Sequence, residues 1–206
     1  KTGVPVAVLV QAGTGYIVRT TCGQIDYVTT GEPIIETTVV LDPGHGGPVD
    51  TGAMGRNGLM EKDMNLDVAR ATQVKLQVRG LSVVLTRTGD YAVPLSNRAA
   101  FADHLGAQVM VSIHHNAPTP GASESPGSEI FVQSHSASST RLGGLVWEHL
   151  VGALSAFDIK WAASPDAGVL TVLNTRGADA YGIIREPSTV TVLAELLYIS
   201  SAQEAG

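Results

Sequence analysis

The stretch TTVVLDPGHGG, Thr37 to Gly47, runs from a β-branched apolar segment into a turn made of Asp42, Pro43, Gly44, Gly46 and Gly47 around His45. A second stretch, SIHHNA from Ser112 to Ala117, ends the apolar run Val109 to Ile113 in the same way, with His114 and His115. Open α/β sheets keep their chemistry at such strand ends, because parallel neighbours deliver side chains to one edge. The glycines around His45 let a metal or substrate approach the backbone closely. Glycine-rich strand-to-helix turns are also common as plain turns, so two histidines at two strand ends say more than either alone.

Working outward, strand and helix signals alternate. Met60, Met64, Val68, Ala71, Val74 and Val78 recur every three or four residues and predict an amphipathic helix that Gly80 ends. Ser82 to Leu85 reads as a strand, and Ser96 to Leu105 as a helix with Ser96 as its N-cap and Gly106 at its end. Strands follow at Val109 to Ile113 and Glu129 to Gln133. Leu142 to Leu154 reads as a helix with Leu142, Leu145, Val146, His149, Leu150 and Ala153 on one face. Val169 to Leu173 and Tyr181 to Ile184 read as short strands, and Val190 to Leu197 is the last apolar run. The alternation predicts an α/β fold: a mostly parallel twisted sheet flanked by helices on both faces.

The segment before it differs. VPVAVLV, YIVRTT and IDYVTT, separated by AGTG and CGQ, predict a short β-hairpin or meander. Gly31, Glu32 and Pro33 mark a boundary, so residues 1–34 are expected to form an N-terminal β segment, either a hairpin or the remnant of a larger module, ahead of a main domain over 35–206. The loop from Pro118 to Ser128, rich in Pro, Gly, Ser and Ala, is expected to be a mobile surface segment.

Composition excludes several classes. With 206 residues, 44% hydrophobic and 16% charged, the chain can bury a sizeable core and is not of the disordered type. Lys and Arg number 13 against 19 Asp and Glu, and no basic run is interleaved with aromatics, so nucleic acid is not an expected partner. No apolar run reaches the ~18 residues of a membrane span. Cys22 alone excludes an internal disulfide framework and a cysteine-rich metal site, and its ordinary reading is a small buried hydrophobe. The chain opens with Lys1 and no leader follows, so a secretion signal is expected to have been removed or left out.

Two acids complete the chemistry. Glu61, in GLMEKDMNL, opens the helix after the glycine-rich turn; a first-turn acid is favoured by the helix dipole alone, and it also lies far enough along the chain to fold back over His45. Two neutral nitrogens and one carboxylate leave tetrahedral zinc an open position for water, the arrangement of catalytic sites. Glu195 sits among apolar neighbours in VTVLAELLYI, where an unpaired carboxylate is costly. Either it pairs with Arg185 or it acts as a general base with a raised pKa. Of the adjacent histidines, His114 and His115 point to opposite faces, so one serves as ligand and the other as support or as a satisfied core residue. His104, His135 and His149 read as surface or half-buried residues.

LDPGHGG, the glutamate of GLMEKDMNL, VVLTRTGD followed by LSNRAAFAD, SIHHNA, GSEIFV and LAELLYIS occur in one order. From Thr37 onward this order resembles the zinc-dependent N-acetylmuramoyl-L-alanine amidases with a type-three amidase domain. The resemblance implies one catalytic zinc ion held by His45, Glu61 and His114, with His114 chosen over His115, and Glu195 as the catalytic carboxylate. It implies hydrolysis of the amide between the lactyl group of N-acetylmuramic acid and L-alanine in peptidoglycan. It also implies an extracytoplasmic setting, in the periplasm, the cell wall or secreted, and a protein expected to be monomeric. Another zinc hydrolase on cell-wall substrates, a peptidase or deacetylase, and a non-catalytic cell-wall binding homologue are the alternatives. Arg98 and Glu129 match the family's pattern and have ordinary ion-pair readings. Where relatives commonly read ELGFISN, this chain has Leu197, Tyr198 and Ser201 in place of Gly, Phe and Asn. It stops at Gly206, soon after the point where relatives add a final helix, and a truncated end is one expectation. The stretch between Gln133 and Gly168 lacks the long insertion that occludes some relatives, so an open cleft is expected.

Overall fold

A computed structural model describes residues 4–34 and 36–205. Ile35, where the sequence reading starts the main domain, lies outside the described residues, as do Lys1 and Gly206 at the ends. The elements run in the order β1 (Val6–Ala12), β2 (Gly15–Thr20), β3 (Ile25–Val28), β4 (Val39–Pro43), α1 (Glu61–Val78), β5 (Val83–Leu85), α2 (Leu95–His104), β6 (Val109–Asn116), β7 (Ala122–Ser123), β8 (Glu129–Val132), α3 (Ala137–Leu154), β9 (Trp161–Ala162), β10 (Val169–Leu170), α4 (Gly182–Arg185) and β11 (Val190–Tyr198).

The main sheet has the order β10-β8-β11-β6-β4-β5. Neighbours β11, β6, β4 and β5 run parallel, β8 pairs antiparallel with β11, and β10 runs parallel to β8. Side chains alternate along each strand, which divides the core in two. Val39, Leu41 and Ile113 pack on Leu66 and Ala69 of α1, and Ile130, Val132, Val192 and Ala194 pack on Leu142, Val146, Trp147 and Leu150 of α3. On the other face Val40, Met110, Phe131 and Leu193 meet Phe101 and Ala102 of α2 and Ile183 and Ile184 of α4. The strands β1, β2 and β3 form a separate antiparallel sheet, as the meander reading anticipates.

Several expectations need correction. Tyr181 to Ile184 is not a strand: Gly182–Arg185 is a helical turn, because Ile183 and Ile184 are both buried in one cluster and a strand would send them to opposite faces. The strand at Val169 stops at Leu170, leaving Val172 and Leu173 exposed. The second helix starts after Pro94, whose φ of −57° suits a helix start, so Ser96 lies inside it. The third helix begins at Ala137, since the Ser136 side chain accepts from the Ser139 N–H as N-cap. On α1 the buried positions are Glu61, Lys62, Asn65, Leu66 and Ala69, while Val74 and Val78 are exposed; polar groups occupy the inward face near the site, so apolar periodicity misplaces it. Cys22 is exposed, lying in the turn between β2 and β3 and not in a core. The loop 118–128 is pinned at its centre, where Ala122–Ser123 pairs with Trp161–Ala162.

One buried constellation fixes the edge of the main sheet. Asp42, 1% exposed, accepts from Arg98 Nη1 at 2.7 Å, Thr86 Oγ1 at 2.5 Å and Ser112 Oγ at 2.7 Å. Arg98 also donates to the carbonyls of Pro43 and His45, and Arg87 to those of Pro43, Gly44 and Lys62. Burial pushes the Asp42 carboxyl up, but the Arg98 charge and the hydroxyl donors outweigh it and hold it below the ordinary carboxylate range.

Removing one partner of a buried ion pair leaves a desolvated charge behind. Arg98→Met is therefore expected to lower stability by about 3–5 kcal/mol, read as a lower urea midpoint at unchanged slope. A shift below about 0.5 kcal/mol would show that the pair does not anchor this edge. Because the folded-state pKa of Asp42 is lowered, its contribution is complete above about pH 4 and is lost as pH falls through the lower folded value. Acid titration of wild type against Asp42→Asn, whose stability should vary less below about pH 4, checks the sign.

Candidate metal centre

Strand geometry brings the sequence-selected residues to one edge. His45 follows β4 by two residues, His114 lies near the end of β6, and Glu195 lies in β11 directly opposite His114 in the parallel ladder. Glu61 is the first residue of α1 and reaches over the edge from the opposite face. Its Oε1 lies 2.9 Å from His114 Nδ1 and 3.2 Å from His45 Nε2, while Oε2 accepts from the Ala53 N–H at 2.8 Å. The two imidazoles meet edge to face with centroids 4.9 Å apart.

The cluster is tight because glycines allow it. A Cβ on Gly44 would overlap the His114 ring, and one on Gly52, at φ +66°, would lie 2.5 Å from Glu61 Oε2 and 2.6 Å from the His45 ring. His45 itself has φ 60°, a left-handed conformation uncommon for a non-glycine residue, held by the Arg98 hydrogen bond to its carbonyl.

The ligand atoms of His45, Glu61 and His114 all lie within 4.8 Å of one another, and among the described residues this is the group that could hold a metal ion. The donor set fits: two imidazole nitrogens and one carboxylate suit a borderline-soft divalent ion. Burial alone would raise the Glu61 carboxyl, but the two imidazoles and the Ala53 N–H hold it far below its ordinary value, so it stays ionised as a ligand must. The His45 and His114 side chains remain 26% and 17% exposed, which leaves the cluster reachable.

His115 takes the supporting place. It is buried, its backbone N–H donates to Glu61 Oε1 at 3.2 Å, and its Nδ1 lies 2.7 Å from Asn65 Oδ1. Burial lowers its pKa to about 4, so it is neutral. His104, His135 and His149 are exposed and away from the cluster, as their patterns imply.

Glu195 does not pair with Arg185, whose guanidinium caps the carbonyls of Asp179 and Ala180 and contacts Glu186. Its Oε2 is buried without a hydrogen-bond partner. Burial pushes its carboxyl up to about 7; the nearby His114 opposes this, and the charges of Glu61 and Glu129 add to it. Glu129 is opposite Glu195 on β8 and forms no ion pair among the described residues; it accepts from Asn116 Nδ2 at 2.8 Å and the Tyr198 hydroxyl at 3.2 Å.

Four functional neighbours escape sequence reasoning. Asp42 hides as a turn residue, and Arg87 lies in a segment without an obvious role. Asn65 had a usable signal, being four residues from Glu61 on the same helical face. Asp50, whose Oδ1 lies 2.6 Å from His45 Nδ1, had one too, as an acid in the loop that leaves the histidine.

Comparison with known proteins places the chain in a family. The sequence is 36% identical over 176 residues to the uncharacterized protein YqiI of Bacillus subtilis, covering 84% of this chain and 76% of that protein. It is 34% identical over 176 residues to the N-acetylmuramoyl-L-alanine amidase LytC of Bacillus subtilis, covering 84% of this chain and 32% of LytC. The catalytic domain of CwlV, an N-acetylmuramoyl-L-alanine amidase from Bacillus (Paenibacillus) polymyxa, superposes with a TM-score of 0.64 at 31% identity, covering 82% of this chain and 85% of that domain. The profile of the Amidase_3 family, described as N-acetylmuramoyl-L-alanine amidase, matches residues 39–206, and the chain belongs to that family.

Proposed function

We propose that residues 35–206 form a zinc amidase domain that cleaves the bond between the lactyl group of N-acetylmuramic acid and L-alanine in peptidoglycan, with residues 1–34 as an appended β segment. The observation that carries the reading is the His45–Glu61–His114 cluster beside a buried carboxylate with a free oxygen, Glu195 Oε2. Family membership and the names of LytC and CwlV support the choice of bond. Peptidoglycan lies outside the cytoplasmic membrane, so the site of action is extracytoplasmic; no helix of the described residues is long and apolar enough to cross a membrane.

His45, Glu61 and His114 would hold the ion, and a zinc ion there supplies Lewis acidity toward a carbonyl oxygen and toward water. Glu195 accepts a proton on its carboxylate as water oxygen bonds to the amide carbon. It returns that proton to the departing nitrogen as the C–N bond breaks, leaving a lactyl carboxyl group and a free alanine amine. A carboxyl whose pKa lies near the working pH suits both halves of this exchange. Glu61 and His115 hold the cluster: one hydrogen bond from the His115 backbone fixes Glu61 against β6, and Asn65 fixes the His115 ring.

Mass spectrometry of muropeptide digests tests the bond assignment. The zinc-loaded chain should release stem peptides with a new alanine amine, a chelator should stop the release and added zinc restore it. Products cut within the peptide, or deacetylated sugars, would identify a different hydrolase. Glu195→Gln, close in volume and unable to carry the proton, should lower kcat by about 10²–10⁴-fold while zinc stoichiometry is unchanged; full activity would remove Glu195 from the reaction. Gly44→Ala places a methyl group in the His114 ring and should cut zinc affinity as measured by calorimetry, whereas unchanged affinity would show that the ring can move aside without loss.

A further inference from the structure

A neutral imidazole carries one N–H and one lone pair, and its role depends on which nitrogen has which. For His45 the surroundings of the two nitrogens differ. Nε2 faces Glu61 within the cluster, and Nδ1 faces away from it, 2.6 Å from Asp50 Oδ1. The approach of Asp50 is built into the backbone: the Gly46 N–H donates to the Asp50 carbonyl at 2.9 Å, and the two residues pair as an isolated antiparallel bridge. The turn between them therefore returns the acid to the ring of the residue just before the turn. Packing does not explain the contact, since the Asp50 side chain is 60% exposed. The His45 backbone is already fixed at φ 60° with its carbonyl held by Arg98, so ring rotation and tautomer are what remain to be set.

We propose that Asp50 is a positioning residue for His45: its carboxylate accepts the Nδ1–H and so presents Nε2 as the lone-pair donor to the Glu61–His114 cluster. The inference rests on the metal-site reading above and adds a residue to it. An outer carboxylate of this kind fixes the ring and raises the basicity of the ligating nitrogen, and losing one typically weakens metal affinity 10–100-fold. Gly46 and Gly47, at φ +136° and +80°, shape the turn that makes the return possible.

The test is zinc titration by calorimetry into the whole chain, with ¹⁵N–¹H imidazole spectra of the zinc-loaded protein and thermal midpoints for each variant. Wild type should bind one zinc and show a protected Nδ1–H on His45. Asp50→Ala should lose that resonance and weaken zinc binding about 10–100-fold at an unchanged midpoint for the zinc-free protein. Asp50→Asn keeps an acceptor oxygen without the charge and should fall between the two. Affinity within twofold of wild type, or a protected Nδ1–H persisting in Asp50→Ala, overturns the positioning role while the metal site stands. A wild type that takes up no zinc, or a His45→Ala variant that binds it as well, overturns the metal-site reading and the inference with it.

Discussion

Asp42 and Arg98 meet at 2.7 Å beneath the turn that carries His45, and four backbone carbonyls of Pro43, Gly44, His45 and Lys62 are tied to Arg98 or Arg87 around them. Carbonyls in a tight turn point in divergent directions and each needs a donor when buried; the Gly44 carbonyl also accepts from Asn65 Nδ2 at 3.2 Å. Two guanidiniums, each with five donors in a rigid fork, satisfy them, and Asp42 offsets one of the charges. The left-handed backbone at His45 is stable only inside this cage. The position of Glu61 depends on it as well, because Arg87 links the turn to the carbonyl of Lys62, the next residue along α1.

Much of this order was legible in the sequence, and the limits are physical. Strand-terminal histidines, the helix-opening Glu61 and the apolar setting of Glu195 are local signals, and the parallel sheet joins them without further information. The meander before Gly31 and the end of α1 at Gly80 also follow from local turn chemistry. What the sequence hides is of two kinds. Near the site the side chains of α1 that face inward, Glu61, Lys62 and Asn65, are polar, with Leu66 and Ala69 the buried apolar ones, so a search for apolar periodicity is drawn off that face and ends on exposed Val74 and Val78. Partnerships across more than forty residues, such as Asp42 with Thr86 and Arg98 or Glu129 with Tyr198, have no local signature, because each partner alone reads as an ordinary surface ion or turn residue.

The row His114, Glu195, Glu129 crosses three neighbouring strands, on one face and at one height. His114 at one side and Glu129 at the other pull the middle acid in opposite directions, and desolvation, the largest effect, lifts its pKa to about 7. Asn116 Nδ2 and the Tyr198 hydroxyl donate to Glu129, one to each carboxyl oxygen, and hold it in place beside Glu195.

Reversal of β8 relative to β6 and β11 has an architectural consequence. A strand that enters the sheet at the site's edge lets residues 117–128 leave the end of β6 and come back at the same edge, with no helix needed to carry the chain across. The excursion is closed by its two ends and by the pairing of Ala122–Ser123 with Trp161–Ala162 at its centre, and each doubling of a flexible loop's length costs only about 0.6 kcal/mol in closure entropy. On either side of that pairing the wall beside Glu129 can lengthen or shorten at lower cost to folding than the histidine turn on the far side, whose carbonyls are tied to Arg87 and Arg98.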